Sequence, residues 1–215
     1  MGKDYDSNVA NFLKGRINPG AICFDVGANV GVYVLQFGEW SKPNGTVVAF
    51  EPNPSTAQVL RQHIAMNNLT DRVIVVNQAV SDRSGSAEFF AAACDGMSRL
   101  AAPNPLISDR VRKVSVPVST IDEFVDQSGL VPSVMLIDVE GFEIRVLRGA
   151  CRTLSQNPEM LVIAEMHPSI WESSATTRDQ AVSLIKELNF DIVALSGQVD
   201  PLGEYGAVWL TARSR

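Results

Sequence analysis

The stretch Asp25-Val-Gly-Ala-Asn-Val-Gly31 determines how the rest of the sequence is interpreted. It ends an apolar run, residues 21–26, and leads into an amphipathic segment, residues 30–40, in the order of a strand, a tight turn and a helix of an open α/β sheet. Its two glycines permit a turn in which the backbone comes close to a ligand. Their spacing is G-x-x-x-G, unlike the G-x-G-x-x-G of pyrophosphate-binding loops, and its aspartate adds a negative charge. The loop therefore predicts a ligand that has no pyrophosphate and carries a positive group.

Short apolar runs alternate with amphipathic segments along the whole chain, which predicts a sheet covered by helices. The predicted core strands are 21–26, 45–50, 73–77, 134–137, 160–164, 191–195 and 207–211. The predicted helices are 30–40, 55–68, 121–127, 143–155 and 177–188. These elements predict one Rossmann-like, doubly wound α/β domain over residues 1–215, with a polar lead at 1–18 and the last two strands as a hairpin. A small β-hairpin insertion is predicted near residues 84–118.

The composition narrows the class of partner. The chain has 215 residues, of which 46% are hydrophobic and 20% charged, and its formal net charge is −6. This balance is typical of a folded protein and unfavourable for binding duplex nucleic acid. No apolar stretch is long enough to span a bilayer, no apolar signal segment starts the chain, and the three cysteines lack metal-ligand spacing. We therefore expect a cytoplasmic protein that acts on a small molecule, with neither nucleic acid nor membrane as a partner.

Polar residues follow the second and third predicted strands, at the edge of the sheet where ligands bind. Glu51, followed by Pro52 and Asn53, lies twenty residues after Gly31. A carboxylate at this place can accept hydrogen bonds from both hydroxyls of a ribose. Next to the glycine loop, ribose binding is favoured over a solvated loop residue. The third strand leads into Ala79-Val80, beside polar residues that either meet an adenine edge or form a plain turn.

Acidic residues and one histidine follow the fourth and fifth predicted strands. We expect Asp138 and Glu140 to face the ligand cleft, because burying a carboxylate elsewhere is costly. His167 is a candidate general base for a hydroxyl, and a capping or surface role stays equally open. Together with Glu165 these residues could also hold a divalent cation, although no spacing demands one and none is expected. Glu143 either serves the site or simply starts the next helix.

These motifs resemble the FkbM family of class I S-adenosylmethionine-dependent methyltransferases. The resemblance rests on the glycine loop, on Phe50-Glu-Pro-Asn53 and, most specifically, on Ile137-Asp-Val-Glu-Gly-Phe-Glu143 followed by Leu147-Arg-Gly-Ala150. It implies a seven-stranded sheet with an antiparallel last strand and S-adenosylmethionine as the methyl donor. The expected reaction is transfer of the methyl group to a hydroxyl of a sugar or a natural-product small molecule.

The resemblance also implies roles for single residues. Asp25 and the loop Gly27-Ala-Asn29-Val-Gly31 hold the methionine part of the donor, and Glu51 takes the ribose hydroxyls. Asp138 and Glu140 lie at the reacting end, where Asp138 orients the donor or the acceptor hydroxyl, and either His167 or Glu140 takes the proton. The region 81–117 forms much of the acceptor pocket, and the segment 95–109 or a second subunit of a homodimer completes its cover.

Three other functions stay open from the sequence. A nicotinamide- or flavin-dependent oxidoreductase also places an acid after its second strand, but the lack of G-x-G-x-x-G and the presence of Asp25 argue against it. A nucleic-acid amino-methyltransferase would carry an Asn/Asp-Pro-Pro-aromatic run where this chain has Asp138-Val-Glu-Gly. A donor-binding module without turnover would keep the same loop and the same Glu51.

Overall fold

The computed structural model describes residues 7–91, 98–100 and 111–213. In chain order, the strands in these ranges are β1 (Ile22–Val26), β2 (Thr46–Phe50), β3 (Val73–Val76), β4 (Ala79–Val80), β5 (Gly85–Ala91), β6 (Arg99–Leu100), β7 (Arg112–Ser119), β8 (Val134–Ile137), β9 (Leu161–Met166), β10 (Phe190–Ala194) and β11 (Gly206–Ala212). The α-helices are α1 (Ser7–Lys14), α2 (Val32–Trp40), α3 (Pro54–Met66), α4 (Ile121–Ser128), α5 (Glu143–Arg148), α6 (Cys151–Gln156) and α7 (Arg178–Glu187). A 3-10 helix spans Pro168–Ser174.

Seven of the strands form one sheet in the order β3-β2-β1-β8-β9-β11-β10. The strands β1, β2, β3, β8 and β9 run parallel, and β11 runs antiparallel to both of its neighbours, β9 and β10. The predicted Rossmann-like sheet with an antiparallel last strand is confirmed. The strand order reverses at β1, which has β2 on one side and β8 on the other, and ligands bind in the crevice at such a switch point.

The central strands are buried on both faces, which explains their continuous apolar runs. Successive residues of β1 point to opposite faces. Phe24 and Val26 belong to one hydrophobic cluster, and Cys23 belongs to another. Helix α7 adds Leu184 to the first cluster, and helix α3 adds Leu60 to the second. Helices therefore cover both faces of the sheet and leave the strand ends open to a ligand.

A second, four-stranded sheet in the order β4-β7-β5-β6 contains the predicted insertion. Strands β5 and β7 pair antiparallel, which confirms the hairpin predicted near residues 84–118. The two-residue strands β4 and β6 extend it on either side. Its apolar side chains, among them Phe89 and Leu100, pack against Phe142 in front of α5. Most of the polar segment predicted at 95–109 lies outside the described residues.

One predicted helix is wrong, because the segment 143–155 forms two helices, α5 and α6, that separate at Gly149. The Gly149 carbonyl accepts the N–H of Asp122 at 2.9 Å, and a Cβ on Gly149 would lie 2.1 Å from the carbonyl oxygen of Ser81. The Asp122 carboxylate accepts the backbone N–H groups of Arg152 and Thr153 at 3.0 and 2.8 Å. A side chain from α4 therefore caps α6, and the periodicity of the segment itself does not reveal such a partner.

The polar lead predicted at 1–18 contains the helix α1. Two of its residues, Val9 and Leu13, are four positions apart and buried, so they form an apolar stripe that packs on the sheet. Two apolar residues among polar neighbours are too few to indicate a helix from the sequence. Among the helices that the structure describes, none is long and apolar enough to cross a membrane.

Candidate active site

A cleft opens at the carboxyl ends of β1, β2 and β8, at the switch point of the sheet. Nine of the predicted site residues line it: Asp25, Gly27, Asn29, Glu51, Pro52, Ala79, Val80, Asp138 and Glu140. Gly31, Asn53 and His167 lie behind this lining and support it through contacts given below. Phe89 and Leu100 of the second sheet also line the cleft, so the insertion reaches the site as expected.

Gly27 brings the loop after β1 against the end of β8. Its φ is +95°, and a Cβ at this position would lie 1.8 Å from the carbonyl oxygen of Asp138. The N–H groups of Gly27 and Ala28 both donate to the carbonyl of Phe50, at 3.0 and 2.9 Å. The loop is thus held between the ends of β2 and β8, and its position depends on the lack of a side chain at Gly27.

Glu51 is 6% exposed and is held by the backbone on both sides. Its Oε2 accepts the N–H of Asn29 at 2.9 Å, and its Oε1 accepts the N–H of Asn53 at 2.8 Å. Burial raises the pKa of Glu51 to about 7, although these two N–H donors lower it. Since a carboxylate offers about four lone-pair sites, both oxygens can still accept a hydroxyl of a ligand.

Three further predicted residues shape the loop. Asp25 is buried, and burial followed by the charge of Glu51 raises its pKa to about 7, while a hydrogen bond from the N–H of Val34 in α2 lowers it. Gly31 precedes α2 with a φ of +95°, a conformation that suits glycine. Asn53 caps α3 with its side chain. Asp25 therefore ties β1 to α2 as well as lining the cleft.

The carboxyl groups of Asp138 and Glu165 meet at the ends of the neighbouring strands β8 and β9, where Ile137 pairs with Ala164. Burial, and then the charge of Glu165 and a hydrogen bond with it, raises the pKa of Asp138 well above its usual range. Two carboxyl groups can share a hydrogen bond only when one of them carries a proton. The hydroxyl of Tyr205 donates a second hydrogen bond to Glu165. Asp138 therefore lies against a second carboxyl group beside the cleft, and this favours its neutral form.

His167 lies beside these carboxyl groups and is 9% exposed. Its Nδ1 is 2.9 Å from Oε1 of Glu143 and 3.1 Å from the carbonyl oxygen of Glu165; since both are acceptors, Nδ1 carries a proton. Its Nε2 lies 3.9 Å from Oε1 of Glu140. Burial lowers the pKa of His167, but the hydrogen bond and charge of Glu143, followed by the charges of Glu140 and Asp138, outweigh it and raise the pKa to about 9. At neutral pH the free protein therefore carries an imidazolium here.

Glu143 starts α5 and is fully buried. Its carboxylate accepts three donors: the N–H of Gly141 at 2.6 Å, Nδ1 of His167 at 2.9 Å and Nε1 of Trp171 at 2.9 Å. A buried carboxylate is stable only when it is hydrogen-bonded in this way. Both roles left open for Glu143 are found together, since it begins a helix and also fixes the ring of His167.

Glu140 has a left-handed backbone, with a φ of +50°. This conformation is uncommon for residues other than glycine and costs about 1–3 kcal/mol where it occurs. The next residue, Gly141, has a φ of +94°, and a Cβ there would lie 3.0 Å from the side chain of Ile170. The two residues reverse the chain after β8, which places the Glu140 side chain on the cleft.

Asp138, Glu140 and His167 each present one ligand atom, and these atoms lie within 4.8 Å of one another. Carboxylate oxygens and an imidazole nitrogen are ligands of divalent cations such as Mn²⁺ and Zn²⁺. The structure therefore assembles a donor set where the sequence led us to expect no metal.

Residues 25–192 match the family model described as the methyltransferase FkbM domain. The match begins at Asp25 and ends in β10, so it contains the glycine loop, Glu51 and the cluster from Asp138 to His167. The chain belongs to the FkbM methyltransferase family. The resemblance in the sequence motifs is thereby confirmed, and the cleft described above is the cleft of an FkbM family member.

Two curated proteins show this relationship at the level of sequence. The hexuronic acid methyltransferase AglP of Haloferax volcanii is 30% identical over 173 residues, which cover 77% of this chain and 64% of AglP. The 31-O-demethyl-FK506 methyltransferase FkbM of Streptomyces tacrolimicus is 40% identical over 70 residues, which cover 33% of this chain and 26% of that protein. The chain thus spans less than two thirds of the length of either FkbM family relative.

Two solved structures show the same fold. The methyltransferase FkbM from Methylobacillus flagellatus superimposes with a TM-score of 0.59 at 18% identity, covering 91% of this chain and 44% of that one. An O-methyltransferase from Bacillus cereus in complex with SAH superimposes with a TM-score of 0.55 at 15% identity, covering 99% of this chain and 84% of that one. This FkbM family member therefore has the class I methyltransferase fold.

Three residues of the site were missed by sequence analysis. Asn77 donates its amide to the carbonyls of Glu51 and Pro52, at 2.7 and 3.1 Å, and so fixes the backbone after β2. The sequence prediction placed Asn77 as the last residue of the third strand, whereas β3 ends at Val76 and leaves the amide free to reach the loop after β2. Trp171 binds Glu143, and the ring of Tyr205 lies over His167 with the ring centroids 5.1 Å apart. Those two residues lie in connecting segments, and no local pattern marks them.

Proposed function

We propose that this FkbM family member transfers the methyl group of S-adenosylmethionine to a hydroxyl oxygen of a sugar or a related small molecule. The observation that carries the proposal is the setting of Glu51. Two backbone N–H groups fix its oxygens at the edge of the cleft, and each oxygen retains acceptor capacity toward a ribose. The family match supports a methyl donor as the ligand that contains this ribose.

The rest of the cleft suits the other parts of this donor. We infer that the adenine lies against the wall formed by Ala79 and Val80, and that the methionine part follows the loop Gly27–Gly31. The sulfonium and ammonium groups are positive, and the carboxyl groups of Asp25 and Asp138 lie on this side of the cleft. A positive group beside these carboxyl groups favours their ionised form and is attracted by it, which supports this orientation.

The proposed reaction is an in-line displacement. The carbon–oxygen bond to the acceptor forms as the carbon–sulfur bond breaks, and the donor leaves as a neutral thioether. Because the sulfonium methyl is already activated, the protein mainly has to hold the two reactants in line and close together. The acceptor hydroxyl also loses a proton, and Glu140 on the cleft or Nε2 of His167 can take it. The raised pKa of His167 favours Glu140 for this role at neutral pH.

The names of the two curated relatives support an oxygen-bearing small molecule as the acceptor. One relative is named for hexuronic acid, which is a sugar acid, and the other for an oxygen position of FK506. Neither name refers to a nucleic acid, in agreement with the negative net charge of this chain. Hexuronic acid glycosides are therefore the first acceptors to test.

Calorimetric titration tests the donor half of the proposal. We expect the protein to bind S-adenosylmethionine and not NAD. Glu51→Gln should weaken binding of the donor roughly 10- to 100-fold, because a hydrogen bond to a charged group contributes about 1.5–3 kcal/mol. The matched control is Glu39→Gln, since Glu39 is an exposed carboxylate paired with Lys42 on the surface. Heat with NAD and none with S-adenosylmethionine would indicate an oxidoreductase and overturn the proposal.

A turnover assay tests the chemical half. The protein is incubated with donor labelled in its methyl group and a panel of hexuronic acid glycosides, and labelled product is counted together with the released thioether. We expect stoichiometric appearance of both. Tight donor binding without transfer to any hydroxyl of the panel would indicate a binding module and contradict the proposed activity.

A further inference from the structure

We propose that Asp138, Glu140 and His167 form a binding site for a divalent cation, of which Mn²⁺ is the best match, at the reacting end of the cleft. Binding of the cation follows from the residues themselves. Its role in catalysis rests on the proposed methyl transfer.

The distances suit a single ion. One oxygen of Asp138, one oxygen of Glu140 and one ring nitrogen of His167 lie within 4.8 Å of one another, and the distance between Nε2 of His167 and Oε1 of Glu140 is 3.9 Å. Bonds from a first-row cation to nitrogen or oxygen are about 2.0–2.2 Å long, so two ligands of one ion lie at most about 4.4 Å apart. Small side-chain rotations that move the ligand atoms by a few tenths of an ångström would therefore bring all three atoms into the coordination sphere of one ion.

The ring of His167 is oriented as a metal ligand is oriented. Its Nδ1 donates toward Glu143 and the carbonyl of Glu165, at 2.9 and 3.1 Å, so the lone pair of the neutral ring lies on Nε2. Among the residues that the structure describes, Nε2 makes no hydrogen bond, and Oε1 of Glu140 at 3.9 Å is beyond hydrogen-bonding distance. A histidine that is 9% exposed thus directs Nε2 at the carboxyl groups of Glu140 and Asp138.

The partner of Nδ1 is a second, independent indication. Histidines that bind metal ions commonly donate their other ring nitrogen to a carboxylate, which fixes the ring and makes it a better ligand. Glu143 is fully buried and its carboxylate is also held by Trp171, so it cannot follow the ring if the ring turns. The pair Glu143–His167 therefore keeps Nε2 in place whether or not an ion is bound.

The backbone at Glu140 has a purpose in this arrangement. A left-handed φ of +50° is costly for glutamate, and it turns this carboxylate back toward the ends of β8 and β9. The strain is thus accounted for if Glu140 has to meet the other two ligands.

The donor set also indicates which ion binds. Two hard carboxylate oxygens with one imidazole favour Mn²⁺ over Mg²⁺, which prefers oxygen ligands alone, and no thiolate is present among these ligands to favour a softer ion. Because Asp138 and Glu140 line the cleft, the remaining positions of an octahedral ion face the acceptor. A bound cation would lower the pKa of an acceptor hydroxyl at this end of the cleft, so that the hydroxyl would release its proton to bulk water more readily.

Titration of Mn²⁺ followed by electron paramagnetic resonance tests the site without any need for turnover, because bound Mn²⁺ loses the sharp signal of the free ion. We expect one Mn²⁺ per chain in the wild type. Glu140→Gln and His167→Gln should each weaken binding at least ~10-fold. Glu39→Gln, which removes an exposed carboxylate outside the cleft lining, should bind Mn²⁺ like the wild type. Calorimetry with S-adenosylmethionine verifies that each variant is folded, since none of the substitutions touches Glu51.

The outcomes separate the cation site from the proposed activity. Specific Mn²⁺ binding that depends on His167 and Glu140 supports the site even if no hydroxyl is methylated. Methyl transfer at an unchanged rate after treatment with EDTA, together with no loss of the free Mn²⁺ signal, overturns the site and leaves the methyltransferase in place. Equal binding of Mn²⁺ by the wild type and both site variants also overturns it.

Discussion

Substitution of Gly27 by alanine is the sharpest structural test of the cleft. A Cβ at this position would lie 1.8 Å from the carbonyl oxygen and 2.8 Å from the carbonyl carbon of Asp138. An ordinary contact begins at 3.4 Å, so the loop and the end of β8 would have to separate by about 1.6 Å. Neither partner is a flexible side chain, and the movement must therefore be taken up by backbone.

The expected loss of stability has two contributions. The left-handed φ of +95° costs a residue with a side chain about 1–2 kcal/mol, and the overpacking against Asp138 adds about 1–3 kcal/mol. Gly20→Ala is a matched control, because Gly20 has a φ of +82° and nothing lies within 4 Å of its Cβ position. The difference between the two variants in the free energy of unfolding isolates the overpacking, about 1–3 kcal/mol.

The loss of function should be larger than the loss of stability. The loop also carries the N–H of Asn29 that fixes Glu51 at 2.9 Å, so separation of the loop from β8 moves the donor away from Asp138. A displacement of about 1 Å between reacting groups can lower a rate about 100-fold. Urea unfolding without ligand gives the free energies, and the turnover assay gives the rates. If Gly27→Ala and Gly20→Ala were equally stable and equally active, the steric argument would be refuted.

Three further predictions concern the cluster around His167. Because its pKa is raised from 6.5 to about 9, protonation stabilises the fold fully below pH 6.5, and this stabilisation is lost as the pH rises through 9. The free energy of unfolding, measured in urea, should fall by at most about 3 kcal/mol between pH 6.5 and pH 9. His167→Gln should remove this fall. An identical pH profile of the unfolding free energy in the variant would contradict the assignment to His167. Tyr205→Phe keeps the ring but loses the hydroxyl that donates to Glu165. We expect kcat to drop about 5- to 10-fold, with the affinity for the donor unchanged. An unchanged kcat in the turnover assay would exclude a role for that hydroxyl. Glu143→Gln should lower the Tm and reduce the free energy of unfolding by about 1–3 kcal/mol, since one amide oxygen cannot accept all three donors. The control, Glu172→Gln, changes an exposed residue and should leave the Tm unchanged. Equal Tm values for the two variants would argue against the buried network.

The sheet could be predicted because its signal is local. The run Val134–Ile137 is apolar at every position, as a strand buried on both faces requires, and the turn at Gly27 marks the first crossover. The break between α5 and α6 could not be predicted in this way. It depends on Asp122, which belongs to another helix and supplies the cap of α6 through space. Local periodicity carries no information about such a partner.

The residues of the site also differ in whether a local signal in the sequence predicts them. Asp138 and Glu51 each follow a strand directly, and Glu140 comes two residues after Asp138. The ends of parallel strands meet at one edge, so the convergence of these residues follows from chain order. The protonation state of His167 does not follow from chain order. Its raised pKa arises from Glu143 and from the charges of Glu140 and Asp138 after β8. Its ring packs on Tyr205 in the loop before β11. Contacts of this kind depend on the conformation of loops that sequence patterns do not specify.

The two halves of the cleft are held by different kinds of contact, and this has a consequence for how the acceptor can change. The half of the cleft that we propose for the donor is fixed by backbone groups, through the N–H groups that bind Glu51 and the close approach of Gly27 to Asp138. The opposite wall consists of side chains of the second sheet, such as Phe89 and Leu100. Substitutions in that sheet reshape the wall without moving the backbone contacts around the donor. Changes confined to residues 81–117 should therefore alter the choice of acceptor while leaving donor affinity unchanged, and parallel loss of both would show that the two halves are not independent.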